Sequence, residues 1–328
     1  GAVLEVLPGL HRIESIYNGR WLYQHAICRG GRVVLVDTGI SSTPERLIMP
    51  YLHKLGRDVR HVDMIVVSHC DADHCGGNRA FKKANPRIAF VAQQKEADLL
   101  ASADKIVKRR YLEFEDYGLS VPAERQAQIR ANLGEGVAMD VVFDRMASLS
   151  IPANAPEDRL VLELHHAPGH TAGHLVVHIP ELRALIMTDA VLGEAVPDAE
   201  GRPVLPPTYR YTEEYVRTVE WIRHLDVDYW FASHFPLLKG KEAIQRFCDQ
   251  SLAFVEKVES YLLESVERAG VVDLAALVSK AEDRLGNWPV AYNQELAYCL
   301  LGGLERLENR GILRRIREGR RCSWEKIQ

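Results

Sequence analysis

Six consecutive residues, His69-Cys70-Asp71-Ala72-Asp73-His74, carry two imidazoles and two carboxylates. His69 and Asp71 are two positions apart, so in extended backbone their side chains leave on the same side. Asp73 and His74 fall at a turn into a helix, and Gly76-Gly77 lets that turn be tight. Nitrogen and oxygen donors at this density suit a divalent cation, and two cations could share them. The same letters also suit a helix N-terminus capped by Asp71 or Asp73, with both histidines merely polar.

Three distant segments weigh against the capping alternative. Ala167-Pro168-Gly169-His170-Thr171-Ala172-Gly173-His174 lies between two strands, and its glycines allow a tight loop with His170 at the tip. Asp189 follows the apolar strand Leu185–Met187, and His234 follows the strand Tyr229–Ala232. In each case a polar residue stands at the end of a buried strand, where a sheet edge presents ligands.

Together these segments resemble the metallo-β-lactamase superfamily, in its glyoxalase II-like hydrolase branch, over about residues 4–240. That family's pattern is His-x-His-x-Asp-His, a Gly-His-Thr-x-Gly-His loop, a bridging Asp and a last His. The resemblance implies an α/β fold, a four-layer αβ/βα sandwich with two divalent metal ions at one sheet edge. It implies that His69, Asp71 and His170 hold one ion, that Asp73, His74 and His234 hold the other, and that Asp189 bridges them. Asp71 departs from the pattern, which usually has His there. A carboxylate adds negative charge and hardness, moving preference from Zn towards Fe or Mn, with Zn still the favoured ion.

The expected chemistry is hydrolysis by a hydroxide bridging the two cations, with Asp73 as the catalytic residue that orients it. No Ser or Cys nucleophile is required. The branch points to a small ester, above all a thioester of the acyl-CoA or glutathione type, or a lactone. Asp71 and the arginine-rich tail motivate a second reading, a phosphodiesterase or ribonuclease acting on nucleic acid. A regulatory member of the family that does no catalysis is a third.

Other side chains are weighed against blander roles. His174 is expected to support the site rather than bind metal. His165 and His166 read as packing or surface histidines, and Cys70 and Cys75 as small buried thiols. Tyr209 and Tyr211, in the loop after the bridging Asp, are candidate substrate contacts.

These side chains need a scaffold. Residues rich in β-branched and aromatic types at 12–16, 22–28 and 33–37 predict strands. The run Asp63–Val67 is a buried strand aimed at the His/Asp cluster. Residues 94–135 are polar and helical in pattern, an insertion of two or three helices. Strands resume at 141–143, 160–165, 175–179 and 184–187, with a helix over 212–224 and a strand at 229–232. Residues 1–240 thus form the expected catalytic domain. Residues 241–328 form a second, helical one, opened by the apolar stripe Ile244, Phe247, Leu252, Val255, Val258 and Leu262. Helices at 271–280 and 293–310, then two short strands about Glu318-Gly319, suggest a winged-helix-like module over about 265–328.

Bulk numbers fit a globular enzyme. The chain has 328 residues, 41 Lys+Arg against 45 Asp+Glu, and a formal net charge of -4. No global basic excess supports a nucleic-acid coat. In the tail, Glu305, Glu308, Glu318 and Glu325 interleave Arg310, Arg314, Arg315, Arg317, Arg320 and Arg321, so a solvated face is favoured there. Six scattered cysteines without a Cys-x-x-Cys pair suggest free thiols in a reducing cytoplasm. No leader pattern or membrane-length apolar run is visible. The expected partner is a small substrate, and a homodimer is allowed.

Overall fold

Val33, Val34, Leu35 and Val36 form one apolar run, and the structure sends alternate members to different cores. Val33 and Leu35 face an outer helical layer, while Val34 and Val36 face a second sheet. The two-residue side-chain period of a strand produces this division. It recurs in the neighbouring strands, where Ile65 and Val66, then Phe90 and Val91, separate in the same way. Because both faces of both sheets are covered, the molecule has four layers. The computed structural model describes residues 2–151 and 155–328.

The first sheet holds seven strands in chain order: β1 Glu5–Leu7, β2 Leu10–Tyr17, β3 Arg20–Arg29, β4 Arg32–Val36, β5 Val62–Val66, β6 Ala89–Gln93 and β7 Val141–Phe143. Pairing is antiparallel from β1 to β4 and parallel from β4 to β7. Between β6 and β7 lies the insertion, with short helical pieces at Gln94–Leu100, Ala103–Ile106, Val107–Tyr111, Glu113–Tyr117 and Ala123–Leu133. Leu100, Ile106, Val107, Ile129 and Leu133 anchor it in the core outside the first sheet.

The second sheet holds β8 Met146–Ile151, β9 Leu160–His166, β10 Leu175–Ile179 and β11 Ala184–Thr188. A separate ribbon, β12 Val196–Pro197 and β13 Pro203–Leu205, follows. β14 Tyr229–Ala232 and β15 Leu238–Lys239 complete the order β15-β14-β11-β10-β9-β8. β11 and β14 run parallel, so their C-terminal ends reach the same edge. Strand β8 goes beyond the sequence expectation. Its outward residues Met146, Ser148 and Ser150 are exposed, so it reads as a half-polar edge.

After β15 a helix runs over Lys241–Ala269, followed by β16 Val271–Asp273, helices at Leu274–Ala281 and Ala297–Asn309, and the hairpin β17 Leu313–Glu318 and β18 Arg321–Lys326. These strands form a sheet in the order β16-β18-β17. The helix expected from Val271 starts three residues later. Val271 and Val272 pair with Glu325 and Trp324, and Asp273 caps the helix by accepting from the Ala276 amide at 2.7 Å. The residues after 240 have no core apart from the rest: Tyr261, Leu300 and Trp324 share one apolar cluster with Leu185, Met187 and Trp230 of the second sheet. They supply much of the fourth layer. Among the described residues no helix is long and apolar enough to cross a membrane.

Candidate metal centre

β5, β11 and β14 deliver the cluster at one edge of the sandwich. The residues after β5 run through His69 to a short helix at Ala72–Cys75. Asp71 stands at the N-cap of that helix, yet its side chain makes no capping bond. The capping alternative therefore fails, and the carboxylate is turned into the site instead. Glycine is needed at two points. Gly169, before His170, has φ +145, and a Cβ there would lie 2.6 Å from Tyr215 Cα. A Cβ on Gly76 would lie 2.1 Å from the carbonyl oxygen of Asn132 in the insertion.

Two sets of donor atoms converge, His69, Asp71, His170 and Asp189 in one and Asp73, His74 and His234 in the other. Asp189 Oδ2 joins them. It lies 3.1 Å from His74 Nε2, 3.5 Å from His69 Nε2, 3.6 Å from His170 Nε2 and 3.7 Å from His234 Nε2. Asp71 Oδ2 is 2.9 Å from His170 Nε2, and Asp73 Oδ2 is 3.1 Å from His234 Nε2.

The outer nitrogens fix the tautomers. His170 Nδ1 faces the Thr208 carbonyl at 3.1 Å, and His234 Nδ1 faces the Trp21 carbonyl at 2.9 Å. A carbonyl can only accept, so each Nδ1 donates to it and each Nε2 is the nitrogen left to meet a proton or a cation. Those nitrogens face carboxylate oxygens. His69 Nε2 and His74 Nε2 are buried with no hydrogen-bond partner. A ring nitrogen set this close to a carboxylate needs a proton or a cation between them. The donors thus fit two divalent ions, each set offering two imidazole nitrogens, one carboxylate of its own and a share of Asp189.

The electrostatics without an ion point the same way. Burial and His74 oppose a charge on His69, yet the Asp189 and Asp71 carboxylates raise it to about 9. Burial opposes ionising Asp73, but His74 and His234 hold it below the usual carboxylate range. A bound cation would take the place of the protons this cluster attracts.

The frame around the ligands is equally definite. Asp37 accepts from the Ser68 amide and hydroxyl, both at 2.7 Å, and its Oδ2 meets His74 Nδ1 at 2.8 Å. Ser68 Oγ also meets His69 Nδ1 at 2.8 Å. His174 braces Asp189 from behind, its Nε2 accepting from the Asp189 amide at 3.3 Å. Asp37 and Thr188 both hold left-handed backbone, at φ 66 and φ 48. Non-glycine residues adopt this conformation at a cost, and it gathers at functional sites.

The largest departure from sequence expectation surrounds Asp71. Arg110, from the insertion, donates Nε to Asp71 Oδ1 at 2.7 Å and Nη2 to Oδ2 at 3.1 Å. The pair is nearly sealed, with side chains 7% and 16% exposed. Arg110 also donates to the His170 carbonyl at 3.1 Å, and its guanidinium lies 4.5 Å from the Tyr298 ring centre. The Tyr298 hydroxyl donates to the Arg110 carbonyl at 2.9 Å. The charge that Asp71 adds is therefore offset by a fixed cation. Sequence reasoning missed Arg110, although an extra buried carboxylate should have prompted a search for its counter-ion.

Above the cluster lies a cavity of about 670 Å³. Its floor includes Asp71, Asp73, His170, Asp189 and His234, and its walls combine Phe114, Leu119, Val121, Ile129, Leu192 and Leu205 with Tyr17, Arg20, Tyr111 and Arg125. Tyr209 and Tyr211 do not line it. Tyr209 is fully buried, stacked on Tyr215 with ring centres 4.3 Å apart, because its large apolar ring completes the outer core. Tyr211 stands beside the Arg210 guanidinium, 4.9 Å from its ring centre. The wall is built by Tyr111, Arg20, Arg125 and Tyr298 instead, brought in from segments without a local motif.

The remaining candidates lie apart from the cavity. His165 packs against Trp221, and His166 Nε2 donates to the Ala172 carbonyl at 2.8 Å. Cys70 and Cys75 are buried, and burial pushes both thiols well up, so neither supplies a thiolate.

Comparison with known proteins agrees with this geometry. Residues 23–234 match the sequence profile described as the metallo-beta-lactamase superfamily, so the chain belongs to that superfamily, most of whose members are metal-dependent hydrolases. A metallo-beta-lactamase family protein from Thermus thermophilus has the same fold, with a TM-score of 0.72 at 18% identity over 98% of this chain and 100% of that one. A beta-lactamase domain protein from Burkholderia ambifaria gives 0.68 at 16% identity, over 99% of this chain and 93% of the other. A "Beta-lactamase-like protein 2 homolog" of Caenorhabditis elegans is 22% identical over 239 residues, which is 73% of this chain and 60% of that protein. The chain thus spans less than two thirds of that relative's length.

Proposed function

We propose that this protein is a dinuclear metal-dependent hydrolase of a small ester, a thioester or lactone above all. The observation that carries the reading is the half-apolar cavity directly above two overlapping ligand sets. Its volume suits a small molecule, and its apolar wall suits an acyl group. Zinc is the proposed ion, because Arg110 cancels the added charge of Asp71 and imidazoles make up half of each donor set. His69, Asp71, His170 and Asp189 would hold one ion, and Asp73, His74, His234 and Asp189 the other. The ions would supply an activated water and a Lewis acid for the substrate carbonyl.

The chain's own groups have definite tasks in this scheme. The Asp73 carboxylate, held ionised, orients the attacking water as well as binding. The Tyr111 hydroxyl already accepts from the Ala72 amide at 2.8 Å, so its own proton is free to turn into the cavity. Burial, followed by the Asp71 and Asp73 carboxylates, keeps this phenol protonated. It donates to the substrate oxygen on which negative charge develops. The apolar wall excludes bulk water around that contact.

The nucleic-acid reading is the less favoured one. Arg110 accounts for Asp71, and three of the six tail arginines pair with carboxylates: Arg314 with Glu325, Arg315 with Glu308 at 3.1 Å, and Arg310 with Glu213 at 3.6 Å. A cytoplasmic location and the winged-helix-like tail as a wall of the site complete the proposal. The test is a panel of thioesters, lactones and aryl esters, with single-stranded RNA and DNA alongside, using protein loaded with two equivalents of zinc. Ester turnover that disappears in Asp73→Ala is expected. Clean loading without turnover of any ester would overturn the reading.

A further inference from the structure

The cavity wall has one electrostatic anomaly. Charged side chains on this protein usually find partners, as Arg32 does with Asp63, Arg60 with Asp58, Arg183 with Asp226 and Asp228, and Arg110 with Asp71. Arg20 and Arg125 do not. Both line the cavity. Among the described residues the Arg20 side chain makes no hydrogen bond or ion pair, and Arg125 donates only to the neutral Gln128 Oε1, at 3.1 Å. Arg20 sits at the turn between β2 and β3, opposite Tyr17 in the hairpin register. Arg125 comes from the insertion helix Ala123–Leu133. Two distant segments thus bring unpaired guanidiniums to one chamber.

A single carboxylate, Glu295, shares that part of the wall. Burial pushes its carboxyl up, and Arg125 and Arg20 are the largest influences in the other direction. No ion pair within 4.0 Å forms between them. At the floor, two dications and Arg110 would meet the carboxylates of Asp71, Asp73 and Asp189, Asp37 against His74 and an activated water, which together leave that end close to neutral. The chamber as a whole therefore carries an excess of positive charge beside an apolar wall. An Arg fork matches a carboxylate or phosphate in plane and spacing.

We propose that Arg20 and Arg125 form an anion subsite that binds a carboxylate or phosphate at the end of the substrate remote from the scissile bond. This rests on the hydrolase reading for the word substrate, but not for the binding itself. The substrate class is then a small ester or thioester with one anionic terminus and an apolar middle. Charge at the remote end anchors it and leaves the carbonyl over the floor.

Calorimetric titration with product mimics tests this without turnover. The zinc-loaded protein is titrated with α,ω-dicarboxylates from succinate to suberate, with monocarboxylates of equal length, and with 3-phosphonopropionate. One carboxylate can rest at the floor, and only the doubly anionic ligands also reach the arginines. At least one of them is expected to bind about tenfold tighter than its monoacid, a charge-assisted contact. In Arg20→Gln/Arg125→Gln, with melting checked against the parent, that preference falls to about twofold or less. Glu295→Gln, which removes the counter-charge, raises it. Equal binding of mono- and dianions at every length, or a preference that survives the double substitution, overturns the subsite. A dianion preference in a protein that cleaves no ester would defeat the hydrolase reading and leave the subsite standing.

Discussion

The two candidate cation positions have the same donors and different surroundings. Each offers two imidazoles, one aspartate of its own and a share of Asp189. Behind Asp71 stands a buried guanidinium in bidentate contact. Asp73 has no such partner and is 3.1 Å from His234, which is oriented by the neutral carbonyl of Trp21. Equal ligands therefore do not mean equal sites. The first position would hold an ion against a fixed positive charge, and the second would not.

The shared ligand gives the largest expected effect. Asp189→Ala should empty both positions by elemental analysis and lower turnover of any ester substrate roughly a thousandfold, several kcal/mol of barrier. If only one position empties, the bridge is not shared. The next pair of variants breaks the comparison directly. Asp71→Ala strands a buried arginine and should cost about 3–5 kcal/mol in denaturant unfolding of the metal-free protein. Asp73→Ala leaves His74 with two other carboxylates, Asp189 at 3.1 Å and Asp37 at 2.8 Å, and should cost clearly less. Equal losses would mean that Arg110 relaxes to solvent.

Two buried histidines sharpen the contrast between a site with carboxylates and one without. His69 is raised by its acidic neighbours, whereas His25, sealed beside Phe231, is lowered by burial to about 3. An unfolded histidine titrates near 6.5, so between pH 6.5 and 3 the unfolded chain binds more protons at His25 than the folded one. Its contribution is present above pH 6.5 and is lost as pH falls towards 3. Between pH 7 and 5 the parent should lose about 2 kcal/mol more stability than His25→Leu. Parallel pH profiles for the two proteins would refute this.

The smallest effect concerns the guanidinium itself. Arg110→Gln should tighten zinc at the first position by about tenfold in chelator competition, because the opposing charge is gone. Arg110→Lys keeps the charge and loses the fork, so it should stay near the parent. Weaker binding in both would show that Arg110 orients Asp71 rather than opposing its ion.

The floor of the site was legible in the sequence because ligands cluster. His69 to His74 are consecutive, Asp189 and His234 each follow an apolar strand, and His170 tips a glycine-bounded loop between two strands. The alternating runs that make both sheets were legible for the same local reason. Arg110 was not, since it follows Lys108 and Arg109 and only tertiary approach distinguishes it. The expectation for Tyr209 fails because an aromatic residue in a Pro-rich loop can face solvent or core, and its stacking on Tyr215 is decided by packing. Strand β8 escaped because its outward face is mostly serine, and β16 because two valines before a helix suit either element.

The apolar cluster that joins Trp230 to Leu300 and Trp324 also bears on how the chain can be divided. A fragment stopped at residue 240 would keep every candidate ligand and still uncover the greasy back of the second sheet. It would also release Arg110 from Tyr298, so the innermost ion pair would lose its clamp at the moment the back layer was stripped. Pieces of this protein should therefore precipitate rather than work, and heating the whole chain should give one melting event, not two.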